Sequence, residues 1–272
     1  MSLLRKKILR TSLLTCILSF VVLLLFSAWF PRTWLILDQV RLYFQRYVIT
    51  RFSDFRYRRN LSKEVQLSEL LSTKKLAPGD IIFTAEESSL GSAFIGGKWK
   101  HMLLYLGTLR RLKHLLGQHS PFYQKVKSLN LGEREPLIIE STFDGVQIKP
   151  LQSLKPSEAL ASLRLEAPKK ILAKGIETLT PHLGKPYDFD FDMTNDESFY
   201  CSEVLYPVFL AWGLEPILEE GGLRTLISPD AMLKALLDPK LPHRFVHFLF
   251  YVESQEGAAH TMSKEELIVS LL

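Results

Sequence analysis

The sequence predicts an α+β domain that is preceded by an N-terminal transmembrane helix. Two observations support this prediction. Short β-rich runs and helices with apolar periodicity occupy residues 76–252, and an uncharged apolar run fills residues 11–30. Short strands come first in the domain and helices follow, which is typical of an α+β fold. With 272 residues, 47% of them apolar, the chain can bury a core without disulfides.

Residues 11–30 are the predicted membrane anchor. They read TSLLTCILSFVVLLLFSAWF and hold no charged residue. A helix of about 20 apolar residues is long enough to cross a hydrocarbon core of about 30 Å, and Trp29 and Trp34 lie where an interfacial aromatic belt is expected. The alternative is a cleaved signal peptide. We favour an uncleaved anchor because no small-x-small cleavage site lies at the end of the run.

Charge is distributed unevenly along the chain. Residues 1–60 hold eleven Lys and Arg against two Asp and Glu, whereas residues 61–272 hold 23 against 27. The basic pI of about 9.1 therefore describes the N-terminal arm and not the domain. A basic segment beside an apolar run favours anionic membrane lipid as its partner and argues against a nucleic-acid-binding surface.

Residues 31–75 are predicted to form a helical linker beside the membrane. Apolar residues recur at near-helical spacing between residues 34 and 58, which indicates an amphipathic helix lying on the membrane or against the domain. An ordinary helical spacer explains this pattern equally well. The domain follows at residues 76–252, and residues 253–272 are assigned to a C-terminal tail.

The elements of the domain follow from apolar runs and turn residues. The predicted strands are residues 81–84, 101–106, 137–142, 146–148 and 160–165, and the predicted helices are residues 168–183 and 201–212. Asp144-Gly145 is a hairpin turn signal. A Gly-containing loop spans residues 90–97, and the basic stretch 108–132 is expected to be a helical or loop insertion.

Cys201 is a candidate nucleophile. The other cysteine, Cys16, lies in the apolar run, so a structural disulfide between the two is implausible. Asp, Asn and Ser precede Cys201 and apolar residues at helical spacing follow it, which predicts a helix N-terminus there. The helix dipole and free N–H groups would stabilise a thiolate and could donate to an oxyanion. A buried apolar cysteine is the alternative.

His101 and Glu140 are the candidate partners of Cys201. Of the seven histidines, His101 is the one that begins a buried strand directly after a Gly-containing loop, where a side chain is held rigidly at a cleft. Glu140 is a carboxylate in the apolar run LIIEST, where an unpaired charge would be costly, so it is a candidate to orient the imidazole. A Glu facing water from an edge strand remains the alternative.

Four motifs follow one another in the order GDIIF, KWKHMLLYLG, LIIESTFDGVQIKPL and PYDFDFD…FYCSEVLYPVF. In that order they resemble the permuted branch of the NlpC/P60 (papain-like) superfamily, in particular the bacterial YiiX-like or YebB-like group, which is related in fold to lecithin:retinol acyltransferase. The resemblance covers about residues 76–250, and ISPDAML at 227–233 resembles a segment that follows the Cys helix. It implies a circularly permuted papain-like fold.

The resemblance also implies roles for single residues. Cys201 matches the nucleophile, His101 the base, and Glu140 the polar third residue, whose identity varies across the superfamily. Tyr187 resembles a tyrosine near the nucleophile, with an oxyanion or substrate contact as its implied role and ordinary packing as the alternative. The run Met102-Leu103-Leu104 departs from the family, where smaller residues and Gly are usual, and would narrow the cleft.

These observations favour a membrane-anchored cysteine hydrolase that forms a thioester on Cys201 and acts on an amide or ester, with a cell-wall peptide as one expected substrate. The alternatives are a lipid-directed acyltransferase or thioesterase, and a catalytically idle binding module tethered to the membrane. We expect the domain to lie in the periplasm, anchored to a bacterial inner membrane, although basic residues on both sides of the anchor leave its orientation open.

No cofactor, metal or nucleic acid is expected. Asp188, Asp190 and Asp192 alternate as in a calcium loop, but Met193 and Phe199 occupy the positions that Gly and the bidentate acid would need. The expected partners are membrane lipid, through residues 11–30, and a peptide, amide or lipid ester substrate.

Overall fold

The computed structural model describes Val40, Tyr43, Tyr47 and residues 76–85, 97–155, 157–215, 218–221, 224–238, 246–255 and 258–271. The chain divides into two compact units, residues 1–51 and 52–272, and the following paragraphs concern the second. The predicted anchor at 11–30 and most of the predicted loop at 90–97 lie outside the described residues. Within the described part, no helix is both long and apolar enough to cross a membrane.

An antiparallel sheet of seven described strands forms the centre of the domain. Its strands are β1 (Ile81–Ala85), β2 (His101–Gly107), β3 (Leu137–Thr142), β4 (Gly145–Pro150), β5 (Ala159–Leu165), β8 (Val246–Gln255) and β9 (Ala258–Met262). They lie side by side in the order β4-β3-β2-β1-β5-β8-β9. A separate hairpin pairs β6 (Glu219–Gly221) with β7 (Arg224–Leu226). The predicted strands of the domain are thus neighbours in one sheet.

Strand β2 has apolar side chains on both faces, which explains why the sequence shows a continuous apolar run there. Met102 and Leu104 pack into the larger core cluster, whereas Leu103 and Tyr105 pack into a second cluster. The strand begins at His101, which pairs with Thr84 of β1. The base candidate is therefore the first residue of a strand that is buried between two neighbours.

The β3–β4 hairpin turns at Phe143 and Asp144, one residue before the predicted Asp144-Gly145 turn, and Gly145 is the first residue of β4. Gly145 has a φ of +88°, and a Cβ on it would lie 2.3 Å from the Lys185 carbonyl oxygen, so both its backbone angle and its surroundings require glycine. The register of this hairpin pairs Glu140 with Gln147. It thereby determines which residues of β4 can reach the Glu140 carboxylate.

The helices lie outside the sheet and are shorter than the sequence suggests. They are α1 (Leu109–Leu116), α2 (Pro121–Ser128), α3 (Lys169–Glu177), α4 (Tyr206–Ala211), α5 (Pro229–Leu237) and α6 (Lys264–Val269). The predicted insertion at 108–132 is the pair α1 and α2, whose N-terminal caps are Thr108 and Ser120. The helix expected at 168–183 ends at Glu177, and turns follow it.

The predicted helix at 201–212 is the largest difference from expectation. A turn at Cys201 and Ser202 leads into a 3₁₀ helix, Glu203–Leu205, and only then into α4. Pro207 lies in the first turn of α4 and has no N–H to donate to the carbonyl of residue 203, so a regular α-helix cannot run through this point. Residues 253–272, assigned to a tail, contain the end of β8, β9 and α6.

Candidate active site

His101 is the first residue of the central strand β2, and one of its ring nitrogens is bound to a carboxylate. Its Nε2 is 2.7 Å from Oε2 of Glu140, and the side chains are 22% and 7% exposed, respectively. Glu140 comes from the neighbouring strand β3, so the imidazole is held between two ordered strands. This contact fixes the orientation of the ring and leaves Nδ1 for another partner.

Lys149 contacts the second oxygen of the same carboxylate. Its Nζ lies 3.3 Å from Oε1 of Glu140. Because Glu140 pairs with Gln147, and Lys149 is two residues further along β4 on the same face, the lysine can reach back to Glu140. Sequence reasoning missed Lys149, although the period of two along GVQIKP would have indicated this face.

Cys201 is buried, and its thiol interacts with the His101 imidazole. Because Nε2 of His101 is bound to Glu140, Nδ1 is the ring nitrogen that is available to the sulfur. The thiol Sγ also lies 3.9 Å from the carbonyl oxygen of Lys100, the residue before His101. The structure thus brings the predicted Cys201, His101 and Glu140 into one continuous chain of contacts.

The electrostatics of these contacts favour the charged forms of His101, Cys201 and Glu140. Burial alone would lower the pKa of His101, but its hydrogen bonds to Cys201 and Glu140 outweigh burial and raise that pKa to about 10. Burial likewise opposes ionisation of Cys201, yet the His101 contact lowers the pKa of the thiol below its ordinary value. Burial opposes ionisation of Glu140 too, and His101 and Lys149 together lower its pKa. The pair that these shifts favour is a Cys201 thiolate beside a His101 imidazolium.

A backbone donor also stabilises the thiolate. The N–H of Met102 acts to lower the pKa of Cys201, whereas the hydroxyl proton of the neighbouring Ser202 is donated to the Ile227 carbonyl. The sequence predicts instead a long helix starting at Cys201 as the source of this stabilisation. The regular helix begins only at Tyr206, so the specific hydrogen bonds around the sulfur supply the stabilisation described here.

Tyr187 lies beside Cys201 within a group of aromatic side chains. Burial and the nearby Cys201 charge raise its pKa well above the ordinary value, so it remains a protonated phenol. Its ring contacts Phe143 and Phe189, with centroids 5.2 and 4.9 Å away, and lies edge-on to Phe191 at 6.3 Å. Phe143 is exposed, so this aromatic group extends from the buried sulfur to the surface.

The acidic residues before Cys201 shape their own loop. The carboxylate of Asp188 accepts hydrogen bonds from the backbone N–H groups of Asp190 and Asp192, at 2.8 and 2.6 Å. Glu203 accepts from the Tyr200 N–H at 3.1 Å, and burial raises its pKa to about 8. These carboxyl groups therefore organise the turns on either side of Cys201.

In this chain, a histidine on a strand precedes a cysteine on an irregular turn, and a carboxylate orients the imidazole. This arrangement defines a papain-like cysteine hydrolase with permuted segment order. The chain belongs to the permuted papain-like amidase family YaeF/YiiX, C92, whose family model matches residues 75–236. This finding confirms the predicted family and the predicted class of enzyme. Neither a curated protein nor a solved structure matches the chain significantly.

Proposed function

We propose that this protein hydrolyses an amide bond next to a membrane, with Cys201 as nucleophile, His101 as acid and base, and Glu140 as the residue that orients His101. One observation supports this proposal above all others. The His101 ring lies 2.7 Å from the Glu140 carboxylate and interacts with the buried Cys201 thiol. A structural cysteine has no need of an oriented, charged imidazole.

The chemistry follows from these contacts. The Cys201 thiolate attacks the amide carbonyl carbon, a C–S bond forms, and the carbonyl electrons move onto its oxygen. As this tetrahedral intermediate collapses, the C–N bond breaks and the leaving amine takes a proton from the His101 imidazolium. Neutral His101 then deprotonates a water that attacks the thioester, which releases the acid and restores the thiolate and imidazolium pair.

Tyr187 is our candidate for stabilising the oxyanion. A buried phenol that keeps its proton is a donor at the point where negative charge develops. The backbone N–H of Cys201 is the second candidate donor, because in a nucleophile's own turn it faces the attacked carbonyl. Two donors aimed at one oxygen would favour the transition state over the planar ground state.

Cell-wall peptide amides are the first substrate class that we propose. A lipid-directed acyl transfer or thioester hydrolysis is the second, and a specific observation favours it. The rings of Phe143 and Phe189, stacked at 5.8 Å, continue the aromatic group from Tyr187 toward solvent, and an apolar surface beside a nucleophile suits an acyl chain.

One experiment compares the two substrate classes. The full-length protein, in detergent, is incubated with defined muropeptides and, separately, with phospholipid vesicles, and the products are identified by mass spectrometry. The expected result is peptide cleavage that is lost in Cys201→Ala. Fatty-acid release from vesicles without peptide cleavage would favour the lipid-directed alternative, and no Cys201-dependent product from either substrate would contradict the proposed activity.

Membrane attachment through residues 11–30 belongs to the same proposal, with the domain on the periplasmic side of a bacterial inner membrane. Its support is the uncharged run of residues 11–30, flanked by basic residues. Deleting residues 1–30 should move the protein into the soluble fraction, or leave it attached only in a form that salt releases. If the truncated protein still needs detergent for extraction, the anchor assignment is wrong.

A further inference from the structure

The segment that follows β7 forms hydrogen bonds to the neighbours of Cys201 and to the chain just before His101, without touching either reacting atom. We call residues Ile227–Asp230 the connecting segment. It corresponds to the start of the ISPDAML stretch, and its last two residues, Pro229 and Asp230, are the first two residues of α5. Its two ends make different contacts, one to the chain around Cys201 and one to the chain before His101.

The first end contacts the two neighbours of Cys201. The Ile227 N–H donates to the Tyr200 hydroxyl oxygen at 2.9 Å, and the Ser202 hydroxyl donates to the Ile227 carbonyl at 2.6 Å. Tyr200, Ser202 and Ile227 are all buried. One residue of the connecting segment therefore binds the chain on both sides of the nucleophile, in a region where no regular helix orders it.

The second end contacts the chain just before the base. The Asp230 carboxylate accepts from the Trp99 N–H at 2.6 Å and from the Lys98 N–H at 3.3 Å. Gly97 passes so close that a Cβ on it would lie 2.2 Å from Asp230 Oδ2. His101 is only two residues beyond Trp99, and the Lys100 carbonyl between them lies against the Cys201 sulfur.

The residues that Asp230 binds are themselves anchored in the domain. Trp99 is fully buried and packs edge-on against Phe83 and Tyr251. Lys98 Nζ donates to the Tyr251 hydroxyl at 2.7 Å and lies 2.8 Å from Glu253. Asp230 is therefore one of several groups that hold the ordered piece of chain that ends at His101, and it is the one that comes from the connecting segment.

We infer that Ile227 and Asp230 are positioning residues that set the separation between Cys201 and His101. The inference rests on the proposed function, because it assigns a role relative to that catalytic pair. Cys201 lies in a turn and His101 at the first residue of a strand, so neither is held by secondary structure on both sides. Hydrogen bonds from one short segment to both chains couple the two positions, and a displacement of about 1 Å in such a pair is costly to catalysis.

The test follows the alkylation of Cys201 by iodoacetamide against pH in the full-length protein, with the labelled peptide quantified by mass spectrometry. Asp230→Ala should raise the pH midpoint of labelling by about one unit or more, because a displaced imidazole stabilises the thiolate less. Tyr200→Phe should raise it by a smaller amount from the other end of the segment. Asp230→Asn keeps the shape of the side chain but supplies a weaker hydrogen-bond acceptor. Its labelling midpoint should therefore fall between those of the wild type and Asp230→Ala.

Gly97→Ala supplies an independent perturbation of the same contact. Its Cβ would collide with Asp230, so the midpoint should rise in the single variant. The further rise that Gly97→Ala causes in an Asp230→Ala background should be smaller, because the residue with which it collides is gone. Coupling of this kind is expected for residues in contact and not for independent sites.

Ser263→Ala is the matched control, since it removes the helix cap of α6 and so lowers stability without touching the connecting segment. Its labelling midpoint should equal that of the wild type. If Asp230→Ala lowers the melting temperature but leaves the midpoint unchanged, Asp230 is only structural and the inference is overturned. If the labelling midpoint of wild-type Cys201 is about 8.5, the ordinary value for a thiol, the proposed function and this inference are overturned together.

Discussion

The two sides of the candidate site are built from different kinds of structure. On the His101 side, the side chains come from neighbouring antiparallel strands, and the ladder of β2, β3 and β4 brings Glu140 to His101 and Lys149 to Glu140. On the Cys201 side, the chain is a turn followed by a 3₁₀ helix, and its order comes from side-chain hydrogen bonds to Ile227.

This difference separates two ways of holding a reactive group. A strand residue is positioned by backbone hydrogen bonds that any side chain preserves, so its neighbours can be replaced with little movement of the backbone. A residue in an irregular turn depends on particular side chains, and each replacement can move it. We therefore expect variants of His101 and of its partners in the strand ladder to change chemistry cleanly, and variants of the side chains that hold the Cys201 turn to change chemistry and geometry together.

The largest effect should come from His101→Ala. Removing the base should lower kcat/KM by about 10⁴-fold, and the alkylation midpoint of Cys201 should rise toward the ordinary thiol value, because the main stabilising partner of the thiolate is lost. The melting temperature should change little, since the strand ladder remains. His119→Ala, an exposed histidine on the α1–α2 connection, is the control and should behave as wild type in both measurements.

Glu140→Gln should have the next largest effect, a fall of about 10³-fold in kcat/KM, because a neutral amide no longer supports the imidazolium. Glu140 helps to raise the pKa of His101 to about 10, so in the variant the imidazolium loses its proton at lower pH. The alkaline limb of the pH–rate profile should therefore move to lower pH. The exposed Glu133→Gln is the control, and an unmoved alkaline limb in Glu140→Gln would exclude the proposed orienting role.

The sequence predicts the His101 side of the site better than the Cys201 side. The apolar runs and the Asp144-Gly145 turn predicted β2, β3 and β4, and their adjacency brings His101 and Glu140 together. Lys149 was not predicted, although the period of two along β4 indicates its face, because the sequence alone does not show how far its side chain reaches across the hairpin toward Glu140. The family resemblance, confirmed over residues 75–236, supplied the order of the segments.

The Cys201 side was predicted less well for a physical reason. The apolar spacing after Cys201 indicated a continuous helix, but Pro207 breaks the hydrogen-bond pattern and a 3₁₀ turn takes its place. The contacts of Ile227 and Asp230 join residues 25 to 132 positions apart in the chain. No local pattern encodes such distant contacts, so neither the residue that holds the Cys201 turn nor the one that binds the chain before His101 was predicted.

Tyr187→Phe tests the Cys201 side of the comparison with a smaller change. If the hydroxyl stabilises the oxyanion, its loss should lower kcat by about 10²-fold with little change in KM, because the interaction exists only in the transition state. The phenylalanine ring keeps the contacts to Phe143 and Phe189, so the alkylation midpoint should stay close to that of the wild type. A rise in KM with unchanged kcat would instead assign Tyr187 to substrate binding.

The smallest expected effect is that of Lys149→Met, which removes a partly buried charge, 24% exposed, from the regular side of the site. Since Lys149 lies 3.3 Å from Glu140 and helps to lower its pKa, its loss should raise the pKa of Glu140 toward the ordinary value. Glu140 nevertheless remains ionised at neutral pH, so kcat/KM should fall only about twofold there.

The clearer signal of Lys149→Met should be the pH dependence of stability. A carboxylate whose pKa is lowered by folding stabilises the folded state above its unfolded pKa, and this stabilisation is lost as pH falls through the folded pKa. The variant should therefore melt at a lower temperature than wild type at neutral pH, and the two melting curves should converge as acid protonates Glu140 in both. Lys127→Met, at an exposed position on α2, should show no such pH-dependent difference. A constant difference at every pH would mean that the lysine acts through packing of its aliphatic chain and not through the charge of Glu140.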